Sequence, residues 1–325
     1  MNEIDREHWS HNFFMSYSIV PADFPEYHDQ KEQKVPTDEE FQSLFQILKP
    51  TMTQKLIRVF WFFITFAWLR LIIFVVFFCI FTLVLLLLSN IQRKFFPKSQ
   101  FYKTLAFYIL TPIGKIALFL LKFSYVKING TIEATTRTLV ANHLSFFDPV
   151  ITFSYIRASF LIMAGAKDNF FMQALSLLVD FIYVDRSKKE GITAQIQSYQ
   201  QDPTHQPLVI YPEGKVTNGN ALIGFRTGAF VSDTPIQAIC IRYKMWFTNK
   251  EWATMAWLDD STLDYIYQFL CIPFVTVEYN ILPPLNTEGM SPKEKAIAYQ
   301  LQMANFLGIP AYSKTNISIF QKKQD

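Results

Sequence analysis

Residues 138–148 read TLVANHLSFFD. The first four are apolar or β-branched, which indicates a buried strand, and the seven that follow contain His143 and, five positions later, Asp148. A histidine can take a proton from an alcohol near neutral pH, and a carboxylate on its second ring nitrogen fixes the tautomer. We therefore predict His143 and Asp148 as a catalytic pair. Two structural alternatives stay open, because Asp148 could cap a helix that starts at Pro149 and His143 could be an ordinary hydrogen-bonded turn residue.

This stretch opens a longer alternation of short apolar runs and helical segments. The alternation begins at residue 136 and favours an α/β fold with a mixed, largely parallel sheet flanked by helices. The predicted strands cover residues 138–141, 160–164, 181–184, 208–211, 236–243 and 275–282, and the helices between them include 169–179 and 191–200. The last helix is the best delimited, with Ser291 as N-cap and Pro292 at its first position. Glu294 completes a capping box, and Gly308 ends the helix.

Three charged residues closely follow predicted strands. His143, Arg186 and Glu213 each lie within a few residues of a strand's carboxyl end. Ligands bind at this edge in open α/β sheets, so we expect the three side chains to converge on one cleft.

Four short blocks, in this order and spacing, resemble those of the glycerophospholipid acyltransferase family. They are NHLSFFD at 142–148, FIYVDR at 181–186, YPEG at 211–214 and TPI at 234–236. Three further runs resemble the lysophosphatidylcholine and lysophosphatidylethanolamine acyltransferase branch. These runs are TNG at 217–219, FRTGAF at 225–230 and QAICIRY at 237–243.

The resemblance implies a reaction and a role for each block. It implies transfer of a fatty acyl group from acyl-CoA, a co-substrate, to the free hydroxyl of a lysophospholipid, with no metal and no cofactor. It implies that Arg186 binds the phosphate of the acceptor and that Glu213 and Gly214 hold the acceptor. Thr217 and Asn218 complete the predicted acceptor site. The chain has no Gly-x-Ser-x-Gly elbow, which favours direct transfer without an acyl-enzyme.

Lys215 departs from the family pattern. The residue after the Glu-Gly pair is usually a small hydroxyl in that family, whereas this chain has a lysine. A lysine could pair with Glu213, contact the acceptor phosphate or disturb the site. We include Lys215 among the predicted acceptor-binding residues.

The longest apolar stretch covers residues 59–88 and carries Arg70 as its only charge. As one straight helix it would be about 45 Å long, with a costly charge inside the bilayer. We expect either an interfacial helix followed by a crossing one, or a transmembrane or membrane-embedded hairpin that enters and leaves on one side. A second apolar stretch, 105–123, is expected to pack against the membrane or the domain rather than to span.

Charge divides the chain into three predicted regions. Residues 1–50 hold ten acidic and four basic residues and are expected to be poorly ordered or draped over the body. Residues 51–100 form the membrane segment with basic flanks, and 101–325 form the acyltransferase domain. The basic body suits anionic lipid headgroups and acyl-CoA, and the sequence shows no nucleic-acid module.

Several features bear on location. Lys322 and Lys323 resemble a dilysine address for the endoplasmic reticulum membrane, which is read from the cytosol, where acyl-CoA is available. We expect the catalytic domain to face the cytosol and the sequon residues Asn129 and Asn316 to carry no glycan. The three cysteines lack metal-ligand spacing.

Other functions stay open at this point. Lysophosphatidic acid or glycerol 3-phosphate could be the acceptor, or the chain could be a non-catalytic lipid-binding relative. A metal hydrolase that uses His143, Asp148 and Glu213 is a third hypothesis.

Overall fold

The computed structural model describes most of the chain between its two ends. The described residues are 17–19, 28–46, 49–97, 99–184, 191–248, 252–258 and 261–317. Their helices are α1 (Asp38–Ser43), α2 (Met52–Ile64), α3 (Ala67–Phe95), α4 (Gln100–Leu120), α5 (Asp148–Tyr155), α6 (Phe170–Leu178), α7 (Ile192–Gln201), α8 (Thr262–Cys271) and α9 (Pro292–Leu307), with 3-10 turns at Ala164–Asp168 and Thr227–Phe230. Their strands are β1 (Tyr17–Ile19), β2 (Phe123–Asn129), β3 (Thr138–Ala141), β4 (Ser159–Met163), β5 (Phe181–Val184), β6 (Leu208–Ile210), β7 (Ile236–Trp246) and β8 (Phe274–Ile281).

All eight strands join one sheet in the order β2-β8-β7-β3-β6-β4-β5, with β1 added along β7. Neighbours pair in parallel, except that β7 is antiparallel to both β8 and β1. The predicted mixed, largely parallel sheet is therefore confirmed. Each predicted strand forms within one residue of its bounds, apart from β7, which continues three residues further. Central β3 is buried along its whole length, as expected for a strand covered on both faces.

The sequence did not predict β2. This strand lies at the sheet edge beside β8, and most of its residues are exposed or half-buried. An edge strand of this kind lacks the continuous apolar run that marks the buried strands.

The apolar stretch 59–88 does not fold as one straight helix. Its first part belongs to α2, and α3 begins after Phe66, which has a left-handed φ of 51°. The two long apolar helices that pack together are α3 and α4, and both could cross a membrane by length and composition. The stretch 59–88 is thus divided between α2 and α3, and most of the second apolar stretch, 105–123, lies in α4. Whether these helices span the membrane or re-enter it stays a prediction.

Arg70 lies in the first turn of α3, where its guanidinium is 5.7 Å from the centre of the Phe274 ring. The charge is therefore near the globular domain rather than in the middle of the long helix. This placement removes the difficulty of a charge at mid-bilayer.

Residues 28–46 lie against the globular body, which is the second of the two arrangements expected for the N-terminal region. The main chain of Lys34 bonds both Ala311 and Ser313, at 2.7 and 2.9 Å. Three apolar side chains of this segment share a small core with Ala221, Ile223 and Tyr312. They are Phe41, Leu44 and Phe45. Helix α1 begins with a capping box of Thr37 and Glu40. Residues 1–16 and 20–27 lie outside the described part.

Helix α9 forms as predicted. Ser291 and Glu294 make the capping box, Pro292 occupies the first turn, and Gly308 closes the helix with a left-handed φ of 69°. The helix covers β7 and thereby one side of the sheet centre.

Candidate active site

The turn after β3 is anchored to the neighbouring strand β7. The buried side chain of Asn142 donates to the carbonyl of Ile241 at 3.0 Å and accepts from its N–H at 2.7 Å. These two bonds fix the start of the turn that carries His143.

His143 and Asp148 form the predicted pair. The distance from His143 Nδ1 to Asp148 Oδ2 is 2.8 Å, and the same oxygen accepts the N–H groups of Leu144 and Ser145 at 2.8 and 2.9 Å. The imidazole is 21% exposed, whereas the carboxylate is fully buried. The Asp148 carboxylate therefore stabilises the turn before α5 and does not cap the N-terminus of that helix. The ring nitrogen left over, Nε2, is the one that a substrate can use.

Two further contacts hold His143, one on the face of its ring and one at its main-chain carbonyl. It stacks on Tyr211, with 4.5 Å between ring centres and an interplanar angle of 24°. The His143 carbonyl accepts the Thr217 N–H at 3.1 Å. The ring orientation is therefore set by the strand ends on either side.

A group of buried tyrosines surrounds Asp148, and the sequence analysis assigned them no role. Tyr243 on β7 donates its hydroxyl to Asp148 Oδ1 at 2.5 Å. Tyr279 on β8 donates instead to the main-chain oxygen of Asp148 at 3.1 Å and lies 3.1 Å from Thr152 Oγ1. Burial and the nearby Asp148 charge raise the pKa of Tyr243, which keeps its hydroxyl protonated as a donor.

Glu213 lies beneath the turn that carries His143. It is fully buried; one carboxyl oxygen accepts the His143 N–H at 2.9 Å, and the other accepts the Ile223 N–H at 3.3 Å. Burial raises the pKa of Glu213 to about 8; the two backbone N–H groups act in the opposite direction, and the charge of Asp148 adds to the rise. Glu213 thus ties three chain segments together, and its contact with the acceptor stays a prediction.

Gly214 is required by its own surroundings. Its φ is +65°, and a Cβ there would lie 2.8 Å from Asn316 Nδ2 and 3.1 Å from Arg226 Nε. Arg226 also donates to Asn316 Oδ1 at 3.0 Å. The sequence analysis treated Arg226 only as part of a family-like run, whereas the structure places this exposed cation beside the Glu213-Gly214 turn.

The N-terminal segment supports the remaining predicted acceptor residues. Lys215 Nζ lies 4.8 Å from the ring centre of Phe45. The side chain of Asn218 donates to the Ser43 carbonyl at 2.9 Å, and Thr217 is fully buried. The Asn218 side chain therefore binds the N-terminal segment of the protein. The charge of Lys215 lies over the aromatic ring of that same segment.

Arg186 lies outside the described residues, so its predicted grip on phosphate stays a prediction. The strand that precedes it, β5, is three strand positions from β3, which corresponds to about 14 Å at the usual strand spacing. The predicted convergence is shown for His143 and Glu213, because β3 and β6 are direct neighbours.

The rim beside His143 is aromatic. Phe146 is 52% exposed, and its ring centre is 5.6 Å from that of Trp257, which stacks in turn on Tyr265 at 5.5 Å. Such a rim suits the apolar part of a lipid substrate. Among the described residues, no three His, Cys, Asp or Glu side chains come together to hold a metal ion.

The part of the chain that carries this site matches a known protein family. Residues 128–242 match the family model described as Acyltransferase, a span that contains His143, Asp148 and Glu213. The family resemblance is confirmed. The matched region includes the turn that carries His143, the Glu213-Gly214 turn and most of β7.

Curated relatives are lysophospholipid acyltransferases. Lysophospholipid acyltransferase LPCAT4 of Homo sapiens is 25% identical over 66% of this chain and 42% of its own length. Lysophosphatidylcholine acyltransferase 1 of Danio rerio is 27% identical over 58% of this chain and 38% of its own length. The chain thus spans less than half the length of these relatives. A solved structure, the 1-acyl-sn-glycerophosphate acyltransferase PlsC from Thermotoga maritima, gives a TM-score of 0.49 at 14% identity over 71% of this chain and 94% of that one.

Proposed function

We propose that this protein is an acyl-CoA:lysophospholipid acyltransferase. The observation that carries the proposal is the 2.8 Å contact of His143 Nδ1 with a buried carboxylate, which leaves the partly exposed ring to act as a base. The names of the relatives, lysophospholipid and lysophosphatidylcholine acyltransferases, support a lysophospholipid as the acceptor.

The proposed reaction is a direct transfer. His143 Nε2 takes the proton of the acceptor hydroxyl as its oxygen attacks the thioester carbonyl, and Asp148 stabilises the imidazolium that forms. The tetrahedral intermediate collapses with loss of the CoA thiolate, which receives the proton from His143. The reaction forms one ester bond, breaks one thioester bond and needs no cofactor.

Ser145 is poorly placed to act as a nucleophile. Its side chain is fully buried, its Oγ accepts the Phe147 N–H at 3.2 Å, and it lies 3.5 Å from the Tyr265 hydroxyl. A buried serine that holds its own turn supports transfer without an acyl-enzyme.

Charge supports a phosphate-bearing acceptor, and the names of the relatives support the choice of headgroup. Lys215 and Arg226 lie next to Gly214, and Arg186 is proposed as a third cation for the acceptor phosphate. Lysophosphatidylcholine and lysophosphatidylethanolamine are the preferred candidates, and lysophosphatidic acid or glycerol 3-phosphate is the second. A panel of these four acceptors with one acyl-CoA distinguishes them, because the best acceptor has the highest kcat/KM.

We also propose that the protein resides in the endoplasmic reticulum membrane with its catalytic domain in the cytosol. Helices α3 and α4 support a membrane location, and the supply of acyl-CoA supports the orientation. A sequon added in an exposed loop tests the orientation more clearly than the natural ones, because Asn316 is buried and the Asn129 side chain donates to Asn280 at 2.7 Å.

The experiment for the proposed activity is acyl transfer by purified membranes that contain the full chain. The acceptor is lysophosphatidylcholine and the donor is a long-chain acyl-CoA. A His143→Ala variant removes the base, and His205→Ala is the matched control, since His205 is a partly exposed histidine stacked on Tyr199. Loss of transfer in the first variant alone supports the proposal, and near-normal transfer in both contradicts it.

A further inference from the structure

Helix α2 exposes an apolar side although it packs on a globular domain, and of its two charged residues only Lys55, near its N-terminus, is exposed. Its charged Arg58 is buried against the domain, where it donates to the Trp252 carbonyl at 2.8 Å and to Gln268 Oε1 at 2.9 Å. Leu56, Phe60 and Phe63 are 64%, 48% and 61% exposed on the outer side. Their spacing of three and four residues makes one apolar stripe. A water-facing helix normally has the opposite arrangement.

Helix α8 continues this apolar stripe on the globular domain. It packs on α2 through the Arg58–Gln268 hydrogen bond and a contact of Phe62 with Tyr267, whose ring centres are 5.9 Å apart. Leu263 and Ile266, 79% and 41% exposed, lie on the outer side of α8. The charged Asp264 bonds back to the Ser261 hydroxyl at the N-terminus of the helix, and the rest of α8 is uncharged.

We propose that the outer sides of α2 and α8 form one surface that lies on the lipid monolayer. This contact adds to the membrane contact of α3 and α4. We name it the α2–α8 face and define it by Leu56, Phe60, Phe63, Leu263 and Ile266. Its occupant is a lipid surface because the face is continuous with a membrane helix. The residue after α2 is Thr65, the next is Phe66, and α3 then begins.

The inner side of α8 links this face to the catalytic turn. Tyr265 stacks on Trp257, which contacts Phe146, and the Tyr265 hydroxyl lies 3.5 Å from Ser145 Oγ. A membrane contact of α8 therefore lies one layer of side chains away from the turn that holds His143. This arrangement brings the aromatic rim close to lipid without any movement of the domain.

The test uses a fluorescent label on the full chain in phosphatidylcholine vesicles. A Cys79→Ser background removes the exposed cysteine of α3, and the other two cysteines are buried. Leu263→Cys then carries a bimane label on the α2–α8 face. Glu288→Cys, on an exposed loop before α9, carries the control label. Quenching is measured with a lipid that bears a nitroxide near its headgroup and, separately, with aqueous iodide.

We expect the nitroxide lipid to quench the label at position 263 at least about threefold more than the label at 288. Equal quenching of the two labels by the lipid overturns the proposal. In that case quenching by iodide identifies the alternative. Quenching at position 263 shows that α8 faces water, and protection from quenching shows that a second copy of this chain covers it. The measurement needs no enzymatic activity, so it can fail or succeed independently of the proposed acyl transfer.

Discussion

Removal of the Tyr243 hydroxyl should change the pH dependence of catalysis without changing the maximal rate. In Tyr243→Phe, Asp148 Oδ1 loses the donor at 2.5 Å, while Oδ2 keeps His143 and two backbone N–H groups. The carboxylate then relies more on the imidazole, so His143 holds its proton more tightly. A protonated base is inactive, and the acid limb of the pH–rate profile moves to higher pH.

The magnitude follows from the kind of hydrogen bond that is lost. A hydrogen bond to a charged group contributes about 1.5–3 kcal/mol, and 1.36 kcal/mol corresponds to one pH unit. The remaining donors on Oδ2 take up part of this loss, so we expect a shift of about 0.5–1 pH unit. On the acid limb the rate should fall about 3- to 10-fold, and on the plateau it should stay within about twofold.

The assay is kcat/KM for acyl transfer from pH 5 to 9, with Tyr279→Phe as the control. Tyr279 lies in the same buried group but bonds the main chain of Asp148 and not its carboxylate. The titratable side chains that face Asp148 are His143, Tyr211, Glu213, Tyr243, Tyr265 and Tyr279. Because the pKa of Glu213 is about 8, only the acid limb is compared. An unmoved limb in Tyr243→Phe, or an equal shift in Tyr279→Phe, refutes the reasoning.

Four further predictions follow from the site and the topology. Asp148→Asn should lower turnover by about 10²- to 10⁴-fold, measured with saturating substrates, because the amide no longer fixes the imidazole tautomer. Burial raises the pKa of Glu213 from 4.5 to about 8 in the folded protein. The protonated Glu213 therefore stabilises the fold fully below pH 4.5, and this stabilisation is lost as the pH rises through about 8. The melting temperature in detergent should therefore fall more steeply between pH 5 and pH 8 in the parent chain than in Glu213→Gln. The same dependence of the melting temperature on pH in both proteins would count against this. Arg186→Ala should raise the KM for the lysolipid more than that for acyl-CoA, and an unchanged ratio of the two would argue against phosphate binding. Glu288→Thr creates a sequon at exposed Asn286, and we expect no glycosidase-sensitive mass shift; such a shift would place the domain in the lumen.

The strands that position the site could be predicted because the sheet centre is covered on both faces. A strand such as β3 is apolar along its whole length, and this run is visible without any partner. The convergence of His143 with Glu213 then follows from the parallel pairing of β3 with β6. By contrast, β2 is at an edge and mostly exposed, so its sequence carries a weak signal.

Composition did not decide whether residues 28–46 are poorly ordered or lie on the body. Five acidic residues and one proline outnumber the four apolar residues there, and such a composition is typical of disorder. Phe41, Leu44 and Phe45, spaced as on one side of a helix, were the available signal. The role of Asn218 could not be read from the sequence either, because its partner Ser43 is distant in the chain.

The tyrosines around Asp148 illustrate a limit of another kind. Tyr243 stands on a strand whose side chains alternate between two faces, so its hydroxyl reaches the carboxylate only through the register of β7. The sequence supplies the alternation but not the register. For Glu213, the sequence indicated a residue in the site, and the structure shows that its two oxygens accept the main-chain N–H groups of His143 and Ile223.

The central claim is that His143, oriented by Asp148, is the base in acyl transfer to a lysophospholipid. The most direct measurement is single-turnover transfer from labelled acyl-CoA to lysophosphatidylcholine by the purified full chain, compared with His143→Ala that retains its melting temperature. We predict ester formation in the parent chain and a loss of about 10²- to 10⁴-fold in the variant. Ester formation at similar rates in both proteins would contradict the account.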